Sequence, residues 1–232
     1  VGEMVTLRWA LSQSNNWISA YLIREFSPQS LVKLMHSFGI KSKLDPVVSL
    51  CLGPVEVSVS EMVDAYTTFV NKGIKVEPLY VTRIEDNKGN IISTFTPQYT
   101  EIISEETSHK MLEMLKAVIN EGTGVRLRYR YQFKGDIGGK TGTTQNNSDG
   151  WFIGVTPELV SGTWVGGEDR SIHFDNLREG QGASMALPVW ALYMQKVYAD
   201  ETLGYSDTLK FDIPEHLHKE YKECVSNDVV ED

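Results

Sequence analysis

The sequence predicts an α+β fold in which helices flank an antiparallel sheet. Helical periodicity dominates the first third of the chain, three short strand-like segments follow one another after residue 136, and a last helical pattern ends near residue 199. A chain of 232 residues, 41% of them hydrophobic, is long enough to bury a core of its own. Nowhere does it hold the roughly 18 consecutive apolar residues that a membrane-spanning helix requires.

The first helices are predicted from apolar residues that recur at helical spacing. This pattern covers residues 6–26 and is interrupted by the polar segment SQSNN at 12–16, which indicates two helices joined by a turn. Another helix begins after Ser27, a residue type that caps helices, and a further one runs from about Ser60 to Asn71. The first third of the chain is therefore predicted to be helical.

The second half of the chain combines strands with two helices. A β-hairpin is predicted where two β-rich runs flank the turn Asp86–Gly89, and the strongest helix signal follows over residues 104–120. Three strand-like segments come next, IGGKTGTT at 137–144, GWFIGVT at 150–156 and LVSGTWVGG at 159–167. A final helix is predicted from about Ser184 to Ala199, with Pro188 in its first turn.

The charge of the chain is concentrated at its C-terminal end. The formal net charge is -9, and residues 201–232 contain nine acidic residues against three lysines. This predicts a main domain over residues 1–200 and a solvated acidic extension over 201–232. The acidic balance argues against a nucleic-acid partner, because phosphate binding needs a basic surface. Cys51 and Cys224 form neither a disulfide framework nor a metal cluster, so the redox compartment stays open.

The motif GGKTGTT at 138–144 permits three interpretations. A phosphate-binding loop is disfavoured, because its glycine spacing is one residue short and a strand rather than a helix follows. The second is a plain glycine-rich strand or turn. The third is an edge strand that holds a peptide carboxylate through Lys140, Thr141 and Thr143, with Gly142 allowing close approach of the ligand. Strand alternation places Lys140 and Gly142 on one face and the two threonines on the other.

A second polar motif lies in the turn between the first two helices. Ser14-Asn15-Asn16 is a Ser-x-Asn sequence, in which a serine hydroxyl can relay a proton and an asparagine amide can hold a peptide carbonyl. Alone it has little value, because both residue types occur at helix caps by chance. Together with the Lys-Thr-Gly strand it supplies two of the three elements of a serine acyl-transfer site.

Longer segments around these motifs carry a resemblance to a known family. LRWALSQSNNWISAYL, SLCLGPVEVSVSEMVDAYTTFVNKGI, EGTGVR, GGKTGTTQNNSDGWFIGVTPELVSGTWVGG and GQGASMALPVW occur in this order. In order and spacing they resemble the transpeptidase domain of penicillin-binding proteins, most closely the bifunctional class A type, over roughly residues 5–199. The resemblance implies the penicillin-binding transpeptidase (serine β-lactamase-like) fold, here lacking its N-terminal portion.

The resemblance also implies roles for the two motifs. In this family a serine of a Ser-x-x-Lys motif attacks the penultimate D-alanine of a peptidoglycan stem peptide, and β-lactams imitate the D-alanyl-D-alanine end. Ser14 and Asn16 are then expected in proton relay and substrate binding. Lys140, Thr141 and Thr143 are expected to hold the substrate carboxylate, and the glycine between the threonines to give clearance. The implied partners are stem peptides and β-lactams, without a cofactor or metal.

The third element of such a site does not precede Ser14. The one Ser-x-x-Lys sequence in the chain is Ser30–Lys33, which lies downstream, so using it would reverse the motif order. Two explanations stay open: the chain is part of a longer protein, or it is a homologue that binds or regulates without catalysis. We favour the first, because the resemblance starts in mid-domain. A missing N-terminal part would then carry the nucleophile, the first strands, a membrane anchor and a glycosyltransferase domain. The predicted location of the domain is the periplasm or the outer face of a bacterial cell membrane.

Overall fold

The computed structural model describes residues 4–217 and combines helices with antiparallel sheets, as predicted. The helices are α1 (Leu7–Ser12), α2 (Asn16–Phe26), α3 (Pro28–Ser37), α4 (Val59–Val70), α5 (Glu105–Asn120), α6 (Arg126–Tyr129), α7 (Leu177–Gly180) and α8 (Gly182–Ala199). The strands are β1 (Ile74–Val76), β2 (Arg83–Glu85), β3 (Ile91–Thr94), β4 (Tyr99–Glu101), β5 (Gly138–Thr143), β6 (Asp149–Val155) and β7 (Val160–Gly166). Short 3-10 turns lie at Val48–Leu52 and Glu201–Leu203.

The predicted helices α1 to α5 occur close to their expected bounds, because each has a capping side chain. Ser27 accepts the backbone N–H of Ser30 at the start of α3, and Ser104 caps α5 in the same way. At α4, Ser58 and Glu61 form a reciprocal capping box, so this helix starts one residue before the predicted position. The sequence signals for helix starts therefore work here through hydrogen bonds to otherwise unpaired N–H groups.

The prediction for α8 needs a correction at its start. The helix begins at Gly182 rather than Ser184, and Pro188 therefore lies in the second turn, not the first. The earlier start has a tertiary cause, because the backbone N–H of Gly182 donates to the hydroxyl of Thr143 on β5 at 2.9 Å. A contact between distant parts of the chain thus extends the helix beyond what local pattern indicates.

The main sheet has the order β5-β6-β7 and is antiparallel throughout, which confirms the predicted meander. On one face, Phe152 of β6 packs against Trp190 of α8 with ring centroids 5.2 Å apart. On the other face, Val155 lies in an apolar cluster with Leu112 of α5. Helices therefore cover both faces, and β5 is paired on one side only among the described residues.

Two smaller sheets lie outside this layer. The predicted hairpin is present as β2 and β3, and the register of their pairing shifts between Ile84 and Glu85 of β2. A second antiparallel pair joins β1 to β4, with Lys75 opposite Thr100. We did not predict this pair, since each of its strands has only three residues.

Part of the predicted acidic extension packs against the body of the protein. Phe211 and Leu217 are buried, and the backbone N–H of Phe211 donates to the Asp136 carboxylate at 3.2 Å. Up to Leu217, this segment thus differs from the solvated extension that its charge predicts. Cys224 and the rest of the extension lie outside the described residues. Within residues 4–217, no helix combines the length and apolarity needed to cross a bilayer.

Candidate active site

The turn between α1 and α2 presents Ser14 and Asn16 to solvent. Ser14 has a positive φ of 54°, an uncommon backbone conformation for a residue with a side chain. The carboxamide oxygen of Asn15 accepts the backbone N–H groups of Trp17 and Ile18 at 3.0 and 3.2 Å and so caps α2. Asn16 is the first residue of the helix, and its side chain is exposed. The middle residue of the motif is thus structural, and the outer two remain available to a ligand.

Lys140 and Ser14 meet, although 126 positions separate them in the chain. The ammonium Nζ of Lys140 donates to Ser14 Oγ at 2.8 Å and to the backbone carbonyl of Thr141 at 2.9 Å. Burial lowers the pKa of Lys140 to about 8 from the ordinary value of 10.5, because desolvation disfavours the charged form. A lysine with this pKa exchanges protons near neutral pH and can polarise the serine hydroxyl that it contacts.

The two threonine hydroxyls of β5 lie on the opposite face from Lys140, as strand alternation predicts. Thr141 Oγ1 is 2.7 Å from the hydroxyl of Thr123, and Thr143 Oγ1 accepts from Gly182. The Thr143 side chain is exposed, so its own proton is available to a ligand. Both hydroxyls are therefore held by neighbours, on a strand that pairs on one side only within residues 4–217.

Gly142 has a packing reason to lack a side chain. A Cβ atom there would lie 3.1 Å from Cβ of Trp151, its partner on β6, which is closer than ordinary van der Waals contact. The glycine therefore makes room for a neighbouring tryptophan, in addition to the clearance for a ligand that we expected from the sequence. The two explanations are compatible, because a side chain at this position would crowd the sheet face shared with Lys140.

The segment after β5 excludes the geometry of a phosphate-binding loop. Residues 144–148 form a turn closed by hydrogen bonds to the hydroxyl of Thr144, and β6 follows directly. A phosphate-binding loop instead needs a helix whose N-terminal N–H groups point at the anion. The strand–turn–strand arrangement matches the edge-strand interpretation of the motif.

Ser30 and Lys33 do not join this cluster. Both are exposed on α3, and the Ser30 side chain has Ser27 Oγ as its hydrogen-bond partner at 3.1 Å. No hydrogen bond joins Ser30 to Lys33 within residues 4–217. The side chain of Ser30 thus takes part in the capped first turn of a helix.

Thr123 is the neighbour of the site that we did not single out from the sequence. It lies in the EGTGVR segment after α5, which carried the family resemblance but received no role. No local pattern marks its hydroxyl as a partner of Thr141, because the two residues meet only through tertiary packing.

The chain is similar to known proteins over most of its length. A family model described as penicillin binding protein transpeptidase domain matches residues 1–165. Penicillin-binding protein 1A of Aquifex aeolicus (strain VF5) is 32% identical over 193 residues, which are 83% of this chain and 26% of that protein. The chain therefore spans about a quarter of the length of this curated relative.

Solved structures show the same relationship. The structure of penicillin-binding protein 1A from Haemophilus influenzae is similar with a TM-score of 0.75 and 26% identity, and the match covers 85% of this chain and 35% of that chain. PonA1 from Mycobacterium tuberculosis, in complex with penicillin V, has a TM-score of 0.69 at 22% identity, covering 92% of this chain and 61% of that chain; it supports the fold alone. The chain belongs to the penicillin-binding protein transpeptidase domain family, with relatives of the class A type.

Proposed function

We propose that the chain is part of a peptidoglycan D,D-transpeptidase that cross-links stem peptides by serine acyl transfer at D-alanyl-D-alanine. The observation that carries this proposal is the 2.8 Å contact between Lys140 Nζ and Ser14 Oγ. This contact brings together the Ser-x-Asn turn and the Lys-Thr-Gly strand, although 126 positions separate the two residues in the chain. The pKa of Lys140, lowered to about 8 by burial, supports the same role.

Substrate binding is proposed for the residues along the free edge of β5. The hydroxyls of Thr141 and Thr143 and the positive charge of Lys140 suit a terminal carboxylate, because donors and a cation both favour an anion. Since they belong to opposite faces of β5, we propose that the carboxylate lies at the edge of the strand, where the twist of the strand brings them together. The exposed amide of Asn16 suits a peptide carbonyl of the same ligand. Gly142 keeps this face of the strand clear. A stem peptide lying along the edge would add to the sheet as a further strand.

The chemical step requires a nucleophile from outside these residues. We propose that a serine from a preceding Ser-x-x-Lys segment of the same longer protein forms a bond from its Oγ to the carbonyl carbon of the penultimate D-alanine. The proton of this Oγ passes through the hydroxyl of Ser14 to the terminal D-alanine nitrogen as the bond from the carbonyl carbon to that nitrogen breaks. The positive charge of Lys140 stabilises the negative charge that develops on Ser14 during the transfer. An amine of a neighbouring stem then takes the acyl group and releases the serine.

Exposed aromatic residues near the Ser-x-Asn turn support a further part of the domain. Trp17 is 86% exposed, and Tyr21 and Phe26 on the same helix are also exposed. Trp17 and Tyr21 lie one helical turn apart on the same face of α2, and exposed apolar side chains that share a face mark an interface. We propose that a preceding part of the same protein covers it and supplies the nucleophile, the first strands, a glycosyltransferase domain and an anchor on the outer face of a bacterial membrane.

The division into a domain at 1–200 and an acidic extension at 201–232 stays a prediction.

Labelling with a fluorescent penicillin tests the function, since the proposal extends to β-lactams as covalent mimics of the substrate. We expect no covalent labelling of the 232-residue chain, stable labelling of a longer form that contains the preceding Ser-x-x-Lys, and loss of that labelling in Lys140→Ala. Labelling of Lys33→Ala in the longer form should equal that of the unmodified protein, because Lys33 lies outside the site.

Two outcomes would contradict the proposal. Stable labelling of the 232 residues alone would mean that a nucleophile lies within this chain, and Ser30 would have to be reconsidered. A longer natural sequence without a serine-lysine motif would instead favour a binding or regulatory homologue that does not catalyse.

A further inference from the structure

The turn that follows α5 lies between the two halves of the site, and we name residues 121–124 the coupling turn. The backbone N–H of Thr123 donates to the carbonyl of Ser12 at 3.1 Å, and the Gln13 amide donates to the carbonyl of Glu121 at 3.1 Å. A Cβ atom on Gly122 would lie 2.2 Å from the Ser12 oxygen, so only glycine permits this approach. The coupling turn thus seats the end of α1 immediately before Ser14.

The coupling turn is itself held firmly in place. Its Gly124 N–H donates to the carbonyl of Val118 at 2.9 Å, and Val118 and Ile119 of α5 are fully buried. Buried, close-packed elements of this kind have little freedom to shift. A side chain mounted on the turn therefore has a fixed position relative to β5.

Thr123 is the residue of the coupling turn whose side chain reaches β5. Its oxygen is 2.7 Å from Thr141 Oγ1, and Thr141 is its side-chain hydrogen-bond partner among residues 4–217. Each hydroxyl has one proton to donate. If the proton of Thr141 goes to a ligand carboxylate, the hydrogen bond between the two threonines must run from Thr123 to Thr141.

We propose that Thr123 is a positioning residue that holds the side chain of Thr141 in one rotamer and directs the Thr141 proton to the carboxylate of the ligand. This inference rests on the proposed function for the identity of the ligand, but not for the rotamer. A hydroxyl that accepts one hydrogen bond becomes a better donor in the next, so Thr123 also strengthens the contact with the carboxylate. The residue acts through Thr141 and does not touch the substrate.

The first experiment needs no ligand. Three-bond NMR couplings report the χ1 angle of Thr141 in the unmodified chain, in Thr123→Val, which has the same shape without the hydroxyl, and in Thr123→Ser, which restores it. We expect one rotamer in the unmodified chain and in the serine variant, and averaged couplings in the valine variant. A Thr141 rotamer that is unchanged in Thr123→Val would overturn the proposal.

The second experiment measures the preference for a carboxylate. NMR titration with N-acetyl-D-alanyl-D-alanine and with its C-terminal amide gives the two affinities. In Thr123→Val we expect affinity for the acid to fall about three- to tenfold, as for loss of one hydrogen bond, with affinity for the amide unchanged. Thr123→Ser should recover the acid preference, and Thr94→Val, an exposed threonine on the hairpin, should match the unmodified chain.

The two experiments separate this inference from the proposed function. An equal loss for acid and amide in Thr123→Val, or failure of the serine variant to recover the preference, would overturn the positioning role. If the unmodified chain bound neither compound while Thr123→Val still averaged the Thr141 couplings, the positioning of Thr141 would be supported and the proposed ligand would be wrong.

Discussion

The β5–β7 sheet and the β2–β3 hairpin are both antiparallel and both follow from local sequence patterns, yet they differ in what surrounds them. The sheet is covered by helices on both faces, and Phe152 at its centre is fully buried. The hairpin leaves Ile84, Ile91 and Ile92 exposed. The polar groups of β5 have partners on other elements, such as Thr123 and Gly182, whereas the carboxylate of Asp86 is hydrogen-bonded within its own hairpin turn. The candidate site therefore depends on the packing behind β5 and not on the strand alone.

The largest effect is expected from removing the packing behind the sheet. Phe152→Ala should lower the free energy of unfolding by about 3–5 kcal/mol, since the ring is fully buried against Trp190. Denaturant unfolding followed by circular dichroism measures the change. Ile92→Ala on the hairpin, where the side chain is 66% exposed, is the matched control and should cost less than about 0.5 kcal/mol. Equal costs for the two variants would remove the distinction between the regions.

A smaller effect is expected from the pH dependence that Lys140 adds to folding. Its pKa is about 8 when folded and 10.5 ordinarily, so between these values the unfolded chain binds a proton that the folded chain has lost. The free energy of unfolding should therefore rise with pH across this window, by about 1.4 kcal/mol for each unit of pKa difference. Lys140→Met should remove that rise, as measured by denaturant unfolding between pH 7.5 and 10.5.

Lys88→Met provides the control for this titration, because Lys88 lies exposed in the turn of the hairpin. Its pH dependence should match that of the unmodified chain. If Lys140→Met retained the full rise in stability, burial of Lys140 would not be the cause, and the proton-relay role would lose its electrostatic support.

The smallest effect is expected in the hairpin turn. Gly89 has a φ of +81° and open space around its missing side chain, so Gly89→Ala adds backbone strain of about 1 kcal/mol without a clash. Amide hydrogen exchange should become faster at Asp86, whose N–H donates to the Asn90 carbonyl, while the global unfolding midpoint stays nearly constant. A shift of the global midpoint comparable with that of Phe152→Ala would show that the hairpin is coupled to the core.

The bounds of helices α1 to α5 and of β5–β7 could be predicted, because caps and alternation are local properties of the sequence. Ser104 caps α5 through its own neighbour Thr107, and the alternation along β5 separates Lys140 from Thr141. Pairing between β1 and β4 could not be predicted. It depends on contact between two three-residue strands that lie about 25 positions apart, and neither has a distinctive pattern.

The candidate site shows the same limit. The sequence indicates Ser14 and Lys140 as candidates, but only the folded chain shows that they touch. The folded chain also shows that Asn15 rather than Asn16 caps α2, a distinction that two adjacent asparagines do not reveal in the sequence. The contact of Thr123 with Thr141 had no local signal at all, because it arises from the seating of the coupling turn on α1.

The positive φ of Ser14 determines which substitution tests the role of its hydroxyl most directly. Alanine would remove the hydroxyl while keeping the unfavourable backbone, so its effects would mix chemistry with strain. Glycine adopts this conformation freely, and Ser14→Gly therefore deletes the group while relaxing the turn. If the Ser14→Gly protein were at least as stable but had lost its activity, the unfavourable backbone conformation at this position would be explained by the need for the serine hydroxyl.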